Sequence, residues 1–250
     1  MTPILARAAR RTTLAALVVL AAAAPGAAQA QSPSAVPAAS VAPGAVSLDG
    51  TWTVDPTIGS FDYAAGDFSG SWVGYRAKEE LVGIGGTEAV GRTPAVTGSI
   101  TIAGTQVTAA DLSADLTTLR SDQDMRDGQL GHQGVQTDEF PTATFVLTQP
   151  IELGTLPAEG QQISVNAVGD LTLHGVTKNV TIPLGAVRSG DIIGAAGSIT
   201  FTWADFGMTQ PSSMRVVSLA NDVTLELQVF FRKDSTVPGA SPAASTSPAP

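Results

Sequence analysis

The chain contains no cysteine. That absence removes disulfide stapling, a thiol nucleophile and the lipid-attachment residue of a lipoprotein. Histidine is almost as scarce. His132 and His174 have no second histidine at a metal-ligand spacing, so a zinc site would need carboxylates to complete it. No G-x-S-x-G elbow, P-loop or strand-following G-x-G-x-x-G occurs, which removes the readily recognised enzyme classes. Aromatic residues make up 5% of the chain and charged residues 14%. Basic charge is the minority sign, with 13 Lys and Arg against 22 Asp and Glu. Such a surface repels phosphate backbones, so no nucleic-acid partner is expected.

Long hydrophobic runs are missing too. The longest, Leu14 to Ala24, follows Arg7, Arg10 and Arg11 and is too short to anchor the chain across a bilayer. It reads as a secretion signal over residues 1–30, with Ala28-Gln29-Ala30 as the cleavage site and Gln31 as the mature start. The adjacent Arg10 and Arg11 leave both general secretion and twin-arginine export open. Either route predicts a secreted, periplasmic or cell-envelope protein. Removing three arginines and no acid leaves 10 basic and 22 acidic residues, a net charge of −12. Residues 31–45 and 234–250 are rich in Pro, Ala and Ser without apolar periodicity, and read as a linker and a flexible tail. One folded domain is expected over residues 46–233, long enough to build a core without disulfides.

What the domain does have is alternation. Ile163, Val165, Ala167, Leu171 and Leu173 alternate with polar residues, as do Val180, Ile182 and Leu184. Period two puts one set on an apolar face. His174-Gly175 between the runs predicts a tight turn and a long hairpin. Further strands are expected over 48–55, 71–81, 96–102, 106–116, 143–148, 192–203 and 216–231. In the last of these, Val223, Leu225, Leu227 and Val229 alternate most cleanly. Residues 57–69 and the glycine-rich 83–94 read as loops. The one helical segment is 121–133, with Ser121 as N-cap and Asp122 and Asp124 in the first turn. Eight or nine antiparallel strands mean a sandwich or a closed barrel, and pattern alone does not choose.

Few residues offer chemistry. Asp122, Asp124 and Asp127 are close in sequence but lack the turn glycine and terminal Glu of a calcium loop. They read as a solvated helix paired with Arg120 and Arg126. His174 is a general-base candidate, or a side chain bonding turn backbone. Lys178 falls on the apolar side of its strand, which suits a barrel rim with the stem packed and the ammonium in water. Trp52, Trp72, Trp203, Phe145 and Phe201 read as pocket lining or as core.

Five segments in order resemble the YceI-like family of lipocalin-like polyisoprenoid-binding proteins. They are Trp52-Thr53-Val54-Asp55-Pro56 with Ser60, and Val96-Thr97-Gly98-Ser99-Ile100. Arg126-Asp127 with Phe140-Pro141-Thr142-Ala143-Thr144-Phe145 comes next, then the hairpin Gly169 to Leu184, then Asp205-Phe206-Gly207. The chain departs from the family pattern at Gly59, at Trp203 and over Tyr75 to Pro94. The resemblance implies an all-β fold, an antiparallel eight-stranded lipocalin-like barrel with one short helix. It also implies a polyisoprenoid or other long-chain lipid as partner, with no cofactor, metal or catalytic residue. On the alternation, Phe145, Leu147, Val165, Leu171, Leu173, Val180, Ile182, Leu225 and Leu227 face inward. They are the ligand-binding candidates if the lumen is open, and plain core if it is filled. An exposed edge would allow a homodimer. The alternatives are a structural or adhesive β-module with a filled core, or an enzyme using His174 on an apolar substrate.

Overall fold

The structure, a computed structural model, describes residues 47–234. The expected signal, the linker and all but the first residue of the expected tail lie outside the described residues. The elements in order are β1 (Gly50–Val54), β2 (Trp72–Leu81), β3 (Gly85–Thr93), β4 (Val96–Ala103), β5 (Gln106–Asp115) and β6 (Arg120–Ser121). Then come α1 (Asp124–His132), β7 (Thr142–Leu147), β8 (Ile151–Glu152), β9 (Gln162–Leu173), β10 (Val176–Ser189), β11 (Ile192–Thr202) and β12 (Val216–Lys233). All pairings are antiparallel. The order β1-β4-β5-β7-β9-β10-β11-β12 returns to β1, closing an eight-stranded barrel. Closure removes the free edges that an open sheet would leave unpaired.

The β9–β10 hairpin is the longest local unit. Its register runs without a break from Val176 opposite Leu173 to Val187 opposite Gln162. The two turn residues, His174 and Gly175, both have positive φ, 52° and 69°. That is the requirement of a type I′ turn, whose twist matches the strands it joins. Because residues directly opposite share a face, Leu184 meets Val165 and Ile182 meets Ala167 on the inside.

β12 is the strand on which closure turns. Its full length serves three partners: β11 along one edge, β2 along the first part of the other edge, and β1 through Phe231–Lys233. Between Leu219 and Val223 it carries extra residues relative to β2. Such a bulge frees backbone groups from the ladder, and the Trp203 indole N–H satisfies one of them by donating to the Ala220 carbonyl at 3.0 Å.

The segment expected as a loop over 83–94 is instead mostly strand. β3 pairs with β2 from Gly85 opposite Leu81 to Thr93 opposite Val73. Of the glycines that suggested a loop, Gly83, Gly85 and Gly86 have open space beside them, and Gly91 is a packing site. A Cβ on Gly91 would sit 2.3 Å from the Tyr75 ring, and one on Gly74 would sit 2.3 Å from the Gly91 carbonyl oxygen. On the outer face the Arg92 guanidinium lies over the Trp72 and Phe68 rings, 4.3 and 4.4 Å from their centroids. The helix also differs from expectation. Its N-cap is Gln123, and Ser121 belongs to β6. Ser121 is held by Asp127, which accepts from both its backbone N–H and its hydroxyl. No helix among the described residues is long and apolar enough to cross a membrane.

The core is the barrel interior, and its most enclosed large side chain is Trp52, 1% exposed. Its indole N–H donates to the Leu48 carbonyl at 2.9 Å. β1 contributes only five residues to closure, so this side chain anchors a short strand between β4 and β12. Trp52→Ala is expected to destabilise the domain by about 3–5 kcal/mol. Thr53→Ala, whose side chain faces out beside it, should stay within about 0.5 kcal/mol. Urea unfolding of both variants checks this.

Candidate functional site

The lumen follows from the alternation. Inward residues of the barrel strands are hydrophobic or small, except for Lys178 and Arg188 near the two ends of β10. Two unfilled apolar spaces remain inside. The larger, about 110 Å³, is lined by Phe145, Leu147, Val165 and Leu227 together with Ile100, Ile102, Leu112, Leu184, Ile193 and Phe231. The smaller, about 50 Å³, is lined by Leu173 and Leu225 with Tyr75, Phe201, Trp203 and Met208.

Six of the nine inward candidates therefore border free volume. Leu171, Val180 and Ile182 do not, and strand order explains why. On β9 the residues up to Ala167 line the larger space and Leu173 lines the smaller, so Leu171 falls between them. Leu171 and Ile182 are both 4% exposed, and Val180 packs against the core from β10. Phe145 helps form the partition. Its ring lies against Gly169, where a Cβ would come within 2.4 Å of it. Residues on β4, β5 and β11 that line the larger space follow the same alternation as the nine candidates. A bulge in β5 opposite Thr101 and Ile102 shifts that phase.

One end of the lumen is bordered by the segment after β8 and by the end of β10, where Gln161, Val187 and Arg188 line the larger space. Leu153 and Leu156 pack against the core. The loop that follows is tied to the β10–β11 turn by Gly160 N–H donating to the Arg188 carbonyl at 2.8 Å, and by Gly190 N–H donating to Glu159 at 3.1 Å. At the other end the one-turn helix Trp203–Phe206 forms a plug, with Phe206 only 1% exposed and stacked edge-on against Phe201. Beside this plug a cleft of about 500 Å³ opens between the β2–β3 hairpin, α1 and residues 211–216.

Asp205 holds the plug. Its carboxylate accepts from the Thr202 backbone N–H at 2.8 Å and hydroxyl at 2.7 Å, and from the Lys178 ammonium at 2.9 Å. Gly207, at φ 67°, ends the turn. Lys178 is thus at the rim as expected, its inward direction explained by this ion pair and by its approach to the Phe206 ring. His174 bonds backbone, though not that of its own turn. Its Nδ1 donates to the Phe206 carbonyl at 3.2 Å, and Nε2 pairs with the Gln136 side-chain amide at 2.6 Å. Phe140 packs on the ring at 4.2 Å. His174 lines none of these three spaces, whereas the general-base reading required it to face a pocket.

Among the acids of the helix segment, Asp122 pairs with Arg126, and Arg126 also reaches the buried Glu79 at 2.6 Å. Arg120 instead donates to the Leu119 carbonyl at 2.8 Å. Among the described residues no group of three His, Cys, Asp or Glu is placed to hold a metal ion.

The hydrogen bonds from Thr202, backbone first, and then that from Lys178 hold the Asp205 carboxyl well below the usual carboxylate range. A depressed folded-state value contributes stability that is complete above the unfolded value, near 4, and is lost as pH falls through the folded value. Thermal melts between pH 7 and pH 2 are therefore expected to fall more steeply below pH 4 for the native chain than for Asp205→Asn. Parallel curves would remove Asp205 from the acid response.

The sequence profile of the YceI-like domain matches residues 52–231. No curated protein matches the chain at a significant level. Among solved structures, a polyisoprenoid binding domain from Saccharophagus degradans implicated in plant cell wall breakdown is 18% identical. The match covers 66% of this chain and 94% of that one, with a TM-score of 0.53. BcnA of Burkholderia cenocepacia is 19% identical over 63% of this chain and 95% of its own, with a TM-score of 0.48. A mutant YCEI protein of Campylobacter jejuni, solved with a monobromobimane guest, is 17% identical over 58% and 84%, also at 0.48. The profile spans well over half of the chain, and the eight-stranded barrel agrees with the first of these folds: this protein belongs to the YceI-like family.

Proposed function

We propose that the domain is an exported, non-enzymatic lipid-binding protein that holds a polyisoprenoid or similar long apolar chain in the barrel lumen for transport, storage or sequestration. The observation that carries this reading is unfilled apolar volume inside a closed barrel. Protein interiors normally pack without such gaps. At about 24 cal/mol per Å³, the 110 Å³ space forgoes about 3 kcal/mol of packing, which an apolar occupant would restore. Each methylene moved from water into the lumen would contribute about 0.8 kcal/mol. The lining suits a flexible hydrocarbon because it is mostly aliphatic, with Phe145 and Phe231 among the Ile, Leu, Val and Ala side chains of the larger space and Gln161 and Arg188 at one end of it. The description of the Saccharophagus degradans relative as a polyisoprenoid binding domain supports the same ligand class. Export rests on the basic and apolar N-terminus with its Ala28-Gln29-Ala30 site.

Volume sets a condition on this reading. An engineered cavity of about 150 Å³ takes up a single benzene, and the two lumen spaces, at about 110 and 50 Å³, are together of that order. A long chain must therefore displace the partition of Phe145 and Leu171 and join the two. The same small volume favours the second reading, a structural module whose core is essentially filled.

Native mass spectrometry of the protein from its own host, with organic extraction, separates the two. An adduct series spaced by isoprene units is expected. A bare mass that is unchanged after incubation with polyprenyl lipids would favour the filled module. Val165→Phe, which fills the larger space, is expected to weaken binding of a polyprenyl probe at least about tenfold. Its melting temperature should be equal or higher, because the void is lost.

A further inference from the structure

The cleft beside the plug has a composition unlike the lumen. Its walls carry Glu79, Glu88, Asp122, Arg126 and Arg215 among aliphatic residues. Its rim exposes Ile84 on the β2–β3 hairpin, Met125 on α1 and Met214, the last fully exposed. The cleft and the smaller lumen space share three lining residues, Tyr75, Leu130 and Trp203. The wall between the cleft and the smaller lumen space is therefore one side chain deep.

Of the three, Trp203 is held by its hydrogen bond to Ala220, and Leu130 belongs to α1. Tyr75 is different. Its hydroxyl is buried and has no hydrogen-bond partner among the described residues, and its ring rests on the bare backbone of Gly91. Burial pushes the phenol above its ordinary value, with the Arg126 charge opposing. It therefore stands as a neutral donor awaiting an acceptor. A buried hydroxyl without a partner carries an uncompensated desolvation cost. A ligand oxygen placed there would remove that cost, and so would a swing of the ring toward the cleft.

We propose that this cleft receives the polar end of the lumen ligand, and that the head it takes is uncharged, a hydroxyl or carbonyl hydrogen-bonded to Tyr75. The inference rests on the lumen reading above and adds the chemistry of the head and the end at which it lies. Charge excludes an anionic head. Three carboxylates face two guanidinium groups in the walls, and Arg126 is already engaged by Glu79 and Asp122. A phosphate or carboxylate would meet no surplus of positive charge. At the opposite end Arg188 borders the larger space with a buried Nε that has no partner among the described residues. The loop after Leu153 is nonetheless tied across that end by the Gly160 and Gly190 hydrogen bonds, and the exposed aliphatic rim offers an apolar chain a path inward at the cleft.

Geranylgeraniol and the hydrocarbon lacking its hydroxyl, each displacing Nile red, test this in the native chain and in Tyr75→Phe. The native chain is expected to bind the alcohol roughly fivefold more tightly, the equivalent of one neutral hydrogen bond. Tyr75→Phe should bind both alike, at the hydrocarbon's native affinity. Equal binding by the native chain, or a preference that survives in Tyr75→Phe, overturns the head chamber and leaves the lumen reading standing. Failure of both chains to displace the dye from the native protein sinks the lumen reading and this one with it. A second arm avoids the partition. Because the chain has no cysteine, Met125→Cys can be coupled to a bulky maleimide at the cleft rim, and Ser189→Cys, exposed and lining none of the three spaces, at the opposite end. The preference for alcohol should vanish with the first label and persist with the second. The reverse pattern overturns the proposal.

Discussion

Barrel closure is the constraint from which the other features follow. Five residues of β1 complete the circuit, and they can do so because β12 is long enough to serve β11, β2 and β1 together. Once the sheet is closed, every second residue of eight strands is confined to one interior. The chain has neither a disulfide nor a metal cluster among its described residues to share the load. Burial of those inward side chains is then the dominant stabilising term.

Confinement also explains why free volume persists. A circular wall of eight strands sets the interior width by geometry, independent of the side chains chosen to fill it. Phe145 and Leu171 lie side by side on the paired strands β7 and β9 at one level, where Gly169 leaves room for the phenyl ring. The larger and the smaller space lie on either side of that level, with Ala167 bordering the one and Leu173 the other.

The two ends are built from different physics. One is a loop tied to the β10–β11 hairpin by a backbone hydrogen bond and by the Glu159 carboxylate. The other is a short helical plug held by a carboxylate that collects a backbone N–H, a hydroxyl and an ammonium, with His174 pinning the plug to the β9–β10 turn. Asp205, Phe206 and Gly207 each have a separate task there: one accepts, one fills, one reverses the chain. The cleft beside them exists because β2 and β3 extend beyond the closed circuit.

Local pattern by itself determined a good deal. The period-two runs and the His174-Gly175 pair specify the β9–β10 hairpin, because alternation and a positive-φ turn are properties of neighbouring residues. The same alternation identified inward residues, of which Phe145, Leu147, Val165, Leu173, Leu225 and Leu227 border free space. Tertiary structure decided what depends on residues distant in sequence. Glycines at 85, 86 and 91 read locally as a loop, yet they form a strand because β2 offers a complete edge and the Tyr75 ring needs a neighbour without a side chain. Ser121 looked like a helix cap until Asp127 and the β3 edge claimed it. Whether the lumen is whole or divided, and that Tyr75 stands between it and a cleft, are matters of which side chains meet across the barrel. Spacing along the chain carries no record of that meeting.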